Sequence, residues 1–139
     1  MIMALDVGSK RIGVAIADPS GNFALPLTTI TRHNRRDDLA QIKEYLDSYG
    51  VSELVVGDPL TLTGERGTAA RAMDEFVETL RDIFAGEIHR VDERLTTAQA
   101  TKSLIAADVP REKRRLIVDR LAAALILETF LARRRNAPT

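Results

Sequence analysis

The chain has 139 residues, enough for one domain with its own core and few for two. Apolar residues make up 45% and charged residues 29%, a balance that excludes a disordered tail, and the apolar stretch Leu121 to Leu127 is far shorter than the ~20 residues of a membrane-spanning helix. Twenty basic residues balance twenty acidic ones, so the overall charge announces no polyanionic partner, and the lack of cysteine excludes disulfides, thiolate zinc sites and cysteine nucleophiles.

Met1 to Val7 reads as a buried strand, Gly8-Ser9-Lys10-Arg11 as a turn, and Ile12 to Ala17 as a second strand close enough to form a hairpin with the first. The start has neither the basic opening nor the small-residue cleavage site of a secretion signal, so the expected location is the cytoplasm. Asp18 to Asn22 is dense in turn formers, and Leu25 to Ile30 makes a third strand. From Asp37 the period changes: Leu39, Ile42, Leu46 and Tyr49 predict an amphipathic helix ending near Gly50.

Glu53 to Val56 predicts a short fourth strand stopped by Gly57-Asp58-Pro59, and Thr61 to Gly67 reads as a mobile polar loop. Met73, Phe76, Val77, Leu80 and Phe84 mark a second helix, and Ile88 to Asp92 a fifth strand. Thr96 and Gln99 have the spacing of a capping box opening a third helix that fades by Asp108. Leu116, Asp119, Ala123, Ile126 and Phe130 then share one stripe of a final helix. A meander followed by two crossover units predicts an α/β fold: a five-stranded mixed sheet flanked by helices, in a single domain over 1–139.

Acidic residues fall where burial is costly. Asp6 ends the first strand, Asp92 and Glu93 end the fifth, and Asp119 lies among Leu116, Ala122, Ala123 and Ile126. Carboxylates gathered from three elements can hold Mg²⁺ or Mn²⁺, and two such ions about 4 Å apart suit phosphodiester hydrolysis. Strand alternation sends Asp92 and Glu93 to opposite faces, so only one of them joins Asp6 and Asp119. Asp58 reads as a turn residue or a further ligand. The two histidines, His33 and His89, are too far apart in sequence for a histidine-dominated site. Lys10 and Arg11 beside Asp6, and Arg94 beside Glu93, are the candidate phosphate contacts. Aromatic residues at 4% leave no platform for stacking bases, so recognition should run through phosphates and shape.

Four segments carry a resemblance: Ala4-Leu5-Asp6-Val7-Gly8-Ser9-Lys10-Arg11-Ile12-Gly13-Val14-Ala15, Val55-Val56-Gly57-Asp58-Pro59-Leu60, Asp92-Glu93-Arg94-Leu95-Thr96-Thr97 and Val118-Asp119-Arg120-Leu121-Ala122-Ala123. In this order they resemble the YqgF family, also called RuvX. The resemblance implies a ribonuclease H-like fold, and a cytoplasmic nuclease that acts in ribosome biogenesis on the 5′ end of precursor 16S rRNA. The alternatives are a Holliday-junction resolvase, which would work as a homodimer on branched DNA, and a non-catalytic nucleic-acid-binding module. It also implies a metal site of Asp6, Glu93 and Asp119. Two departures stand out: Asp58 replaces an apolar residue of the family's Gly-x-Pro motif, and Arg114 to Val118 lacks a Lys-rich approach. A sugar-kinase- or actin-like phosphotransferase also opens with Asp-x-Gly and a hairpin, but needs a duplicated domain that this length does not hold.

Overall fold

The computed structural model describes residues 1–18, 20, 23–59, 63–94 and 105–136, and for 115–120 the backbone alone. The capping-box segment and part of the polar loop lie outside these residues. The strands are β1 (Ile2–Val7), β2 (Arg11–Ala17), β3 (Leu25–Thr31), β4 (Glu53–Asp58) and β5 (Glu87–Asp92). Among the described residues, three long helices accompany them: α1 (Arg35–Ser48), α2 (Thr68–Arg81) and α3 (Arg111–Asn136). The strands form one mixed sheet in the order β3-β2-β1-β4-β5, with β1–β2 and β2–β3 antiparallel and β1–β4 and β4–β5 parallel. This is the meander followed by crossovers that the element order predicts.

Strand alternation divides the core in two. Met3, Leu5, Ile12, Val14, Leu54 and Val56 point to one face, where Ile42 and Leu46 of α1 and Met73, Phe76, Val77 and Leu80 of α2 cover them. Ile2, Ala4, Ala15, Ala17, Val55 and Val91 point to the other, against Ala123, Ala124, Ile126, Leu127 and Leu131 of α3. The second face is built of small residues, so α3 lies close. A Cβ placed on Gly13 would stand 3.6 Å from the Ala123 Cβ.

The ends of α1 follow local chemistry. Asn34 caps it by accepting a hydrogen bond from the Asp37 backbone at 2.9 Å, and Gly50 just beyond it takes φ +57°, a left-handed value that glycine adopts without penalty. Before the helix, Arg32 donates to Asp38 at 3.1 Å and to the Gly8 carbonyl at 2.8 Å, fastening the β1–β2 turn to the β3–α1 junction. One expectation is corrected. Gly57 and Asp58 do not stop β4 but complete it, paired with Val91 and Asp92 of β5.

Candidate metal centre

Asp6 follows Ile2 and Ala4 in the alternation of β1 and therefore faces α3. Its strand partner is Gly13, where an added Cβ would be 3.6 Å from both the Asp6 and the Ala123 Cβ atoms. Leu5 pairs with Val56, so the next residues along these two parallel strands are Asp6 and Gly57. Gly57 in turn pairs with Val91. Glu93, just past β5, turns back across this row: its Oε1 lies 2.1 Å from the position of a Cβ on Gly57, and its Cδ and Cγ lie 2.8 Å away. The carboxyl group thereby occupies the space above β4 and hydrogen-bonds with Asp6.

Both carboxylates are half-buried. Burial, then the charge of Asp6 and the hydrogen bond to it, push the Glu93 carboxyl up to about 7, with Asp58 and Asp92 adding to the rise. The physical cause is plain: two acids share a poorly solvated space, and the second resists ionising while the first is charged.

Asp92 goes the other way. It accepts hydrogen bonds from the Arg94 backbone and Nε at 3.0 Å and from Arg94 Nη2 at 2.6 Å, which holds its carboxyl below the usual range. The two adjacent acids part company: Glu93 meets Asp6, and Asp92 holds Arg94. The Arg94 guanidinium also lies against Gly64 of the β4–α2 loop.

Asp58 is the last residue of β4 rather than a bare turn residue. Buried on the α1/α2 side, it accepts from Arg66 Nη1 at 2.8 Å and Nη2 at 3.2 Å and from Arg90 Nη2 at 3.1 Å. Arg66 and Arg90 both also bond Asp74 of α2. Lys10, on the β1–β2 turn, and Arg11, the first residue of β2, are both exposed, and Arg11 stands two residues before Gly13, the strand partner of Asp6. Asp119 belongs to the α3 backbone four residues, about one turn, before Ala123. Its side chain is outside the described residues.

A second cluster lies at the opposite ends of β4 and β5. Glu53, Glu87 and His89 each bring one candidate ligand atom within 4.8 Å of the others. Here, however, Arg134 of α3 donates to both Glu53 oxygens at 2.8 and 2.6 Å, and the His89 ring rests 4.7 Å from that of Phe130. The arginine holds Glu53 at about 2 and supplies the positive charge that a metal would bring.

Residues 1–133 match the family described as RuvX, Holliday junction resolvase. The chain belongs to the RuvX family. Among RuvX relatives, one from Moorella thermoacetica is 47% identical over 132 residues, 95% of this chain and 94% of its own, and one from Thermoanaerobacter pseudethanolicus is 44% identical over 97% and 98%. Both carry the name "Putative pre-16S rRNA nuclease". Among solved structures, RuvC of Thermus thermophilus superposes with a TM-score of 0.57 at 16% identity, over 98% of this chain and 96% of that one. The same enzyme with a Holliday junction substrate gives 0.54 at 14% identity, over 96% of each. The likeness establishes a shared ribonuclease H-like fold.

Sequence reasoning passes over Gly57 as a strand stop. Its role follows from strand order and register, with Gly57 directly beyond the Val56 that pairs with Leu5, which the sequence does not display.

Proposed function

We propose that this RuvX protein is a divalent-metal-dependent nuclease that processes the 5′ end of precursor 16S rRNA in the cytoplasm. Family membership gives the reaction class, hydrolysis of phosphodiester bonds, and the relatives' names support the RNA substrate. The observation that carries the metal dependence is the meeting of Asp6 and Glu93 above Gly57. Two carboxyls in contact resist ionising together, a repulsion that a cation relieves, and an all-oxygen donor set is the one Mg²⁺ and Mn²⁺ prefer. Asp6, Glu93 and Asp119 would hold the ions. Bound there, a pair of such ions would acidify a water and offset charge on the departing oxygen.

The chain's own groups do the rest. Asp6 projects from a strand fixed on both sides by neighbours, so its carboxylate is set without reorganisation. Glu93 reaches the same point from just past β5, and as a ligand it would have to be deprotonated. Lys10 from the adjacent turn and Arg11 from the start of β2 hold backbone phosphates, and Arg94, oriented by Asp92, does so from the other side.

A second reading, resolution of Holliday junctions, is favoured by the family's description and the RuvC-like fold. Paired cuts across a junction require two copies of the chain, whereas trimming an RNA end requires one. Incubating the protein with Mg²⁺ or Mn²⁺ and a panel of precursor rRNA, duplex and four-way junction separates these readings. We expect cleavage of precursor rRNA that Asp6→Asn, Glu93→Gln and Asp119→Asn each reduce by at least about 100-fold. Unchanged cleavage by all three variants would refute the centre, and cutting of junctions alone would establish the second reading.

A further inference from the structure

We infer that Gly57 is a positioning residue for the metal centre: the absence of a side chain there is what allows the Glu93 carboxylate to cross β4 and meet Asp6. This rests on the proposed centre and adds to it a residue that binds nothing itself. β5 and β1 are not neighbours; β4 lies between them. A carboxylate leaving β5 must pass over β4 to reach Asp6, and the crossing point is position 57, the position that follows the Leu5–Val56 pair and is itself paired with Val91. At that point the Glu93 Oε1, Cδ and Cγ lie 2.1, 2.8 and 2.8 Å from where a Cβ would be. Side-chain carbon and carboxylate cannot share that volume.

The backbone does not require the glycine. Among the glycines at positive φ are Gly50 and Gly64, whereas Gly57 is an ordinary β4 strand residue. What a methyl group at position 57 meets is the far end of a flexible glutamate rather than main chain, so the fold accommodates it by moving the glutamate. Alanine is also the better strand residue of the two. A purely structural glycine would lose stability on substitution and keep its site; this one keeps stability and loses the site.

Gly57→Ala, compared with wild type, Glu93→Ala and the double variant, tests this. We expect Gly57→Ala to melt within a few degrees of wild type while its Mn²⁺ affinity, measured by calorimetry, falls about 10- to 100-fold. In the Glu93→Ala background the same substitution should change affinity less than about twofold, because the group it displaces is gone. A crystal structure of metal-free Gly57→Ala should show the Glu93 carboxylate moved off Asp6 with β4 in place. An intact Asp6–Glu93 contact in that structure, or additive losses in the double variant, would overturn the inference. Wild-type protein that binds no Mn²⁺ would refute the metal reading instead, and the crystal structure would still decide the role of Gly57.

Discussion

Asp92 and Glu93 are adjacent carboxylates with opposite surroundings at the end of β5. Asp92 faces an arginine and stays ionised; Glu93 faces another acid in a half-buried space and is pushed up to about 7. Between about pH 4.5 and pH 7 the folded, metal-free chain therefore holds a proton that the unfolded chain has released. Its stability falls as pH rises through that window, by ~1–2 kcal/mol once solvent screening of a half-buried group is allowed for. Glu93→Gln should accordingly be close to neutral at the acid end of the window and stabilising by about that amount above it, measured by urea unfolding in chelator at a series of pH values. A variant with no gain above pH 7 would show that the two acids do not compete. Much of this was legible in sequence: Asp6 and Glu93 stood out as acids at strand ends. What alternation could not say was which of the adjacent acids turned toward Asp6, because Glu93 lies past the end of its strand, and that depended on the room left by a glycine on another strand.

At the scale of elements, the ends of β4 and β5 are tied to α2 by an ion network. Asp58 ends β4, Arg90 belongs to β5, Asp74 to α2 and Arg66 to the loop between β4 and α2. With Asp58 buried and bonded to both arginines, its removal leaves Arg66 and Arg90 crowded together with Asp74 as a shared partner. We expect Asp58→Ala to cost about 2 kcal/mol in denaturant unfolding, below the full cost of opening a buried pair because Arg66 is partly solvated and Asp74 remains. A cost under about 0.5 kcal/mol would mean that the network adds nothing. Strands and helices were readable from hydrophobic period, since packing against a sheet imposes it. The network was not, since its members are spread from Asp58 to Arg90 and meet only when β4, β5 and α2 come together. An acid where the family has an apolar residue was the trace it left.

Over the whole molecule, the α3 face of the sheet carries a carboxylate cluster at each end. α3 is ~39 Å long and crosses it with Ala123 near the Asp6 end and Phe130 and Arg134 at the Glu53 end. The small residues Ala4, Gly13, Ala15 and Ala17 let α3 lie close, so that one helix serves both ends. The two clusters differ in charge balance. At one, Arg134 already neutralises Glu53; at the other, burial and mutual repulsion leave a place for a cation. The most direct test is to soak crystals in Mn²⁺ and locate the metal by anomalous scattering. The account predicts density coordinated by Asp6 and Glu93, with Asp119 completing the site. Density at Glu53, Glu87 and His89 alone, or none at either end, would contradict it.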